Sequence, residues 1–207
     1  MGKISGVIVV LMIAVVSWSA VAAEAEAAFV DVAEDYWAAE EIEYLSGQGI
    51  INGYPDGTFA PNQDVTRHQA ASMIAEALDL ELDGRPDPGF IDVDENTPHF
   101  REIAATAEEG VFQGSQDAFR PGETMSRAQM AAVLARVFPQ EDVKRVFYSD
   151  VSSTHWAFEY ISEITDAGIA KGKDGGSSFA PAQGVTRAEL SVFLTRAIVP
   201  DERIDPS

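Results

Sequence analysis

The hydrophobic positions of this chain fall into six short stripes at helical spacing, and the stripes come in pairs. Ala38, Ile42 and Leu45 precede a stop at Gly47 or Gly49, and Ala70, Ile74, Ala77 and Leu78 follow Pro61. Ile103, Ala104 and Ala107 pair in turn with Met130, Val133, Leu134 and Val137, and Ile161 and Ile164 with Leu190, Phe193 and Leu194. Between the members of each pair lies a polar turn with glycine. The densest is Asn52-Gly53-Tyr54-Pro55-Asp56-Gly57, where Pro presets the backbone and Gly supplies positive φ. Leu82 to Gly89 and Pro139 to Val146 read as linkers, and Pro200 to Ser207 as a frayed tail. The pattern predicts a mainly α protein of helix-loop-helix units.

The units are copies of one another. Phe59, Phe119 and Phe179 are each sixty residues apart (119 − 59 and 179 − 119); Pro follows each Phe by two, and Arg follows each Pro by six. Thr66, Ser126 and Thr186 stand three residues before Gln69, Gln129 and Glu189, the spacing of a capping box. Arg67, Arg127 and Arg187 then occupy the first helical position, where a cation opposes the helix dipole at a cost of a few tenths to about 1 kcal/mol. A repeated local cost implies a repeated benefit. One reading is a structural ion pair to a nearby Asp. The other is an anion site, in which exposed helix-start N–H groups and a fixed guanidinium meet one carboxylate or phosphate.

A unit of about 50–60 residues buries too little surface to be comfortable alone, so the three are expected to share a core. There is no Cys among the 207 residues, and packing replaces disulfides. With 34 acidic against 14 basic residues, the net charge of −20 excludes a chain that tracks nucleic acid and requires any anion recognition to be local. Lys3, an apolar run over Val7 to Val16 and the small residues Ala20-Val21-Ala22-Ala23 describe a signal peptide over 1–23, cleaved after Ala22, Ala23 or Ala25. An uncleaved anchor is the rival reading; with cleavage, no stable membrane span remains.

The Phe-x-Asp-Val start, the Trp ahead of the first helix, the Gly-Tyr-Pro-Asp-Gly-Thr-Phe-x-Pro turn and Thr186-Arg187-Ala188-Glu189 together resemble S-layer homology repeats. The resemblance runs over about 29 to 198, with repeats at 29–80, 90–138 and 147–198 and a tail at 199–207. It implies three units in a pseudo-threefold arrangement around a central helical bundle. It also implies grooves between units that hold a pyruvate-ketal-bearing secondary cell-wall polysaccharide, and a secreted protein of the cell wall or S-layer. In such proteins the Arg of the motif pairs with the ketal carboxylate, which falls here on Arg67, Arg127 and Arg187. The Asp and Trp of the repeat start and the Gly of the turn shape the sugar site, which falls on Asp31, Asp92 and Asp150, on Trp37 and Trp156, and on Gly53, Gly114 and Gly172. A ketal carboxylate on a neutral sugar suits a bidentate guanidinium with an aromatic plate. A plain core aromatic is the competing role for each Trp.

Repeat two departs from the pattern. Phe100 stands for Trp, the interval from Asp92 is two residues longer (100 − 92 is 8, against 37 − 31, which is 6), and the turn lacks its second Gly. A site built there is expected to be the weakest. Asp92-Val93-Asp94-Glu95-Asn96 opens like a calcium loop, but Thr97 replaces the required Gly and Ile103 the final Glu, which favours an acidic turn. His99 and His155 hold matching places, with Tyr36 in the third copy, and without metal-ligand pairing. No carboxylate pair stands out for glycoside hydrolysis and no nucleophile elbow occurs, so no catalytic residue, metal or cofactor is assigned. The leading function is a non-enzymatic wall-binding module, in which Arg187→Ala weakens binding without unfolding the chain. The alternatives are a structural S-layer or envelope protein acting by protein–protein assembly, and a small wall hydrolase.

Overall fold

The computed structural model describes residues 29–204, so the expected signal peptide lies outside the described residues. Among the described residues six α-helices carry the fold: α1 (Ala39–Gly47), α2 (Arg67–Ala77), α3 (Phe100–Glu108), α4 (Arg127–Val137), α5 (Phe158–Asp166) and α6 (Arg187–Ile198). The described residues contain isolated bridges but no extended strand, which makes the class mainly α. None of these helices is long and apolar enough to cross a membrane.

Each second helix starts on its capping box. Ser126 and Thr186 accept from Gln129 N and Glu189 N, while Thr66 N and Ser126 N donate to Gln69 Oε1 and Gln129 Oε1 at 3.0 and 2.9 Å. Each first helix is short and stops where a glycine of positive φ (Gly49, Gly110 or Gly168) lets the chain reverse.

The helices pair across repeat boundaries. α2 packs on α3, α4 on α5, and α6 returns to α1. Second helices therefore bury more than the single stripe the pattern predicts: α6 hides Ala188, Leu190, Ser191, Val192, Phe193, Leu194, Thr195 and Ala197. Small residues make that close approach possible on several sides.

At the centre the backbones exchange hydrogen bonds in a closed ring. Met125 N donates to Val65 O (2.8 Å), Val185 N to Met125 O (2.9 Å) and Val65 N to Val185 O (2.8 Å), and all three side chains are fully buried. The tail is ordered through Ile204 rather than frayed. Ile204 N donates to Gly168 O, and Arg203 bonds the Arg196 carbonyl and Gln140 Oε1.

Candidate functional site

The three arginines lie at the junctions between repeats, each reaching into the following copy. Arg67 Nε donates to Phe119 O and Nη2 to Gln113 O; Arg127 uses Phe179 O and Lys171 O; Arg187 uses Phe59 O and Asn52 O. Each guanidinium also lies over the ring of the Phe whose carbonyl it holds, at 4.7, 4.6 and 4.3 Å. The side chains are buried, and that burial lowers each pKa from its ordinary value, although arginine stays charged.

This placement corrects two expectations. The benefit that offsets a cation at the helix start is a fork onto two carbonyls of the next repeat, not an ion pair with a repeat-start Asp. The helix-start N–H groups are also taken. Arg67 N donates to Glu123 O and His68 N to Pro121 O, with the same exchange at Arg127/Ala128 and Arg187/Ala188. No open ring of backbone donors is left there for an anion. What remains is part of the guanidinium edge: two of its five N–H groups are spent on carbonyls, and at Arg67 Nη1 also reaches Met125 Sδ at 4.0 Å.

The repeat-start aspartates position that fork. Asp31 accepts Phe59 N and Ala60 N at 2.7 and 2.8 Å, Asp92 accepts Phe119 N and Arg120 N, and Asp150 accepts Phe179 N and Ala180 N. Ala60, Arg120 and Ala180 are all left-handed, with φ of 56°, 60° and 57°. Two carboxylate oxygens thus hold a strained turn whose Phe carbonyl faces the arginine. Burial works against ionisation of Asp92 and Asp150, but the backbone donors outweigh it and hold both below the usual carboxylate range.

The turn glycines are places of close approach. A Cβ on Gly53, Gly114 or Gly172 would strike the ring of Phe29, Phe90 or Tyr148, and would sit 2.7–2.8 Å from the carbonyl oxygen of Thr58, Ala118 or Ser178. Those rings in turn pack on Phe59, Phe119 and Phe179. Aspartate, glycine and both aromatics form one device that sets the loop carbonyl.

Trp37 and Trp156 are not core residues, being 58% and 59% exposed. Trp156 stands at a cleft of about 460 Å³ whose walls include Arg67, Gly114, Arg120, Gln129 and Arg136. In repeat two the interval is unchanged, because α1, α3 and α5 all begin eight residues after the Asp (39 − 31, 100 − 92, 158 − 150). Pro98 therefore holds the Trp place, and Phe100 corresponds to Ala39 and Phe158. His99 corrects likewise. It is the left-handed residue before α3, its ring 5.3 Å from His68, whereas His155 aligns with Tyr36 and Thr97. The missing turn glycine is replaced by Gln116 and Asp117, both left-handed, and Asp117 O still accepts Ile91 N as Gly57 O accepts Val30 N. Asp94 caps its own turn by accepting Asn96 N at 2.8 Å.

The S-layer homology domain matches this chain three times, over residues 28–71, 89–131 and 147–191. The S-layer protein sap of Bacillus anthracis is 31% identical over 174 residues, 81% of this chain and 21% of that protein. An S-layer protein of Bacillus licheniformis is 33% identical over 176 residues, 83% of this chain and 20% of its own length. An amylopullulanase of Thermoanaerobacterium thermosulfurigenes is 28% identical over 168 residues, only 9% of the enzyme. The chain thus spans about a fifth of the length of these S-layer relatives. Three tandem matches over more than half of the sequence, on repeats that fold and interlock as one device, place the chain in the S-layer homology domain family.

Proposed function

We propose that the chain is a cell-surface anchoring module that grips pyruvate-ketal-bearing cell-wall polysaccharide non-covalently at the junctions between its repeats. The observation that carries this reading is the exposed Trp156 beside the Arg67 cleft. An indole face suits the apolar face of a sugar, and the unspent edge of a guanidinium suits its carboxylate. Asp31, Asp92, Asp150, Gly53, Gly114 and Gly172 then act on the sugar indirectly, by fixing the loop that frames the cleft. Modest single grips on a repeating polymer add through effective concentration. The company of an amylopullulanase supports a module that serves different attached activities rather than one that catalyses. Co-sedimentation with purified walls tests this: the chain pellets with native wall and stays in solution with wall from which the ketals have been removed.

A second reading, assembly with other envelope proteins or with itself, is favoured by Val30, Ile91 and Phe147, which are 80%, 81% and 69% exposed. It predicts equal retention on both walls and association that grows with protein concentration.

A further inference from the structure

Three residues decide how each junction arginine meets solvent. They are the one after the loop glycine, the third of the facing second helix, and the one four places further along. At Arg187 the first is Tyr54, whose ring lies 5.2 Å from the guanidinium carbon and whose hydroxyl donates to Gln63 Oε1 at 2.9 Å. At Arg127 the trio is Lys173, Glu189 and Phe193. Glu189 Oε1 is 3.6 Å from Arg127 Nη1 and 3.0 Å from Lys173 Nζ, and the Phe193 ring is 5.5 Å from the guanidinium carbon. At Arg67 the trio is Ser115, Gln129 and Val133, with no carboxylate and no aromatic among the three; they line the 460 Å³ cleft together with Phe112, whose ring is 5.7 Å from the guanidinium carbon.

Basic residues also gather at the Arg67 junction. Arg120 and Arg136 line the Arg67 cleft, and Glu123 is the one carboxylate among its lining residues. The position of Arg120 is Ala60 or Ala180 in the other copies, and that of Arg136 is Glu76 in the first and Arg196 in the third. In a chain of net charge −20 this is a concentrated cationic spot. The aromatic plate follows suit. The packing of α4 on α5 goes with Trp156 lining the Arg67 cleft, and by repeat correspondence the packing of α6 on α1 assigns Trp37 to the Arg127 junction. By the same rule α2 on α3 gives the Arg187 junction Pro98.

Resting on the polysaccharide reading above, we infer that the junctions are unequal: the Arg67 junction is the open site that takes the acidic saccharide first, and the Arg127 junction is closed by the chain's own Glu189. A ligand carboxylate at Arg127 has to displace an internal carboxylate already present at high effective concentration. At Arg67 no carboxylate lies directly on the guanidinium: Glu123, in the same cleft, is 3.7 Å from Arg120 Nε, and Arg136 adds a further cation to draw the ligand in. The shortened loop of repeat two, which replaces a lid by Ser115, is what opens the site.

Calorimetric titration of the full chain with a hexopyranoside carrying a single pyruvate ketal tests this. The unaltered chain is expected to bind one equivalent tightly. Ser115→Tyr, which restores the residue of repeat one, is expected to weaken that binding about tenfold. Glu189→Gln keeps a capping residue already used at Gln69 and Gln129, and is expected to add a second equivalent, a gain that misfolding cannot imitate. Three equal sites in the unaltered chain, undiminished affinity in a folded Ser115→Tyr chain, or no second equivalent in Glu189→Gln overturns the inference and leaves the polysaccharide reading standing. No binding of the ketal sugar by the unaltered chain overturns both.

Discussion

Arg187 Nε donates to the carbonyl oxygen of Phe59 at 2.7 Å, a hydrogen bond between residues 128 positions apart that ties the last repeat to the first. Arg187→Ala removes it together with the bond to Asn52 O, and leaves two loop carbonyls without their charged donor. Hydrogen bonds to charged groups contribute about 1.5–3 kcal/mol each, so a loss of about 3 kcal/mol in unfolding free energy is expected. Urea unfolding followed by circular dichroism checks it. Arg187→Lys is expected to rescue little, because an ammonium cannot span two carbonyls as a planar fork does.

Asp150→Ala leaves Phe179 N and Ala180 N without acceptors at a left-handed residue. The expected cost is about 1–2 kcal/mol, read from the urea midpoint. Asp150→Asn is expected to recover part of it, since an amide offers one acceptor oxygen in place of two.

Acid dissolves these pins. The carboxyls of Asp92 and Asp150 have folded pKa values below their ordinary ones, so the unfolded chain binds more protons than the folded chain in that range. Their stabilisation is complete above the ordinary Asp value of about 3.9 and is lost as pH falls through the lower folded values. The urea midpoint is expected to drop over that acid window. A chain with Asp92→Asn and Asp150→Asn is expected to show a flatter pH profile there.

Glycines with different surroundings separate contact from flexibility. Gly172→Ala drives a Cβ into the Tyr148 ring and the Ser178 carbonyl, with an expected loss of about 1–3 kcal/mol. Gly47, the last residue of α1, has nothing within 4 Å of its Cβ position and no positive φ. Gly47→Ala is expected to leave stability unchanged or raise it by about 0.5–1 kcal/mol. Thermal unfolding of both variants checks the contrast.

Features that rest on local chemistry were legible in the chain. The capping boxes, the arginine at the first helical turn and the stop of α1 at Gly47 each depend on residues within a few positions of one another. What was hidden depends on partners a repeat away. Nothing beside Arg67 in the sequence says that Phe119 O and Gln113 O will meet it, or that Pro121 and Glu123 will occupy the helix-start N–H groups. Pro98 was misread for a related reason, since the aromatic Phe100 drew the alignment by two places and only the helix start restored it. The exposure of Trp37 and Trp156 was equally out of reach, because indoles are more often buried and only packing against the next repeat decides.

The most direct measurement is a nitrogen-15 NMR titration of the chain with the mono-pyruvylated hexopyranoside, following the Arg67 Nε–H and the Trp156 indole N–H. The account predicts that both signals move together along one saturable curve, and that the same sugar without its ketal moves neither. Binding of the ketal sugar with both signals unmoved, or equal response to the ketal-free sugar, contradicts it.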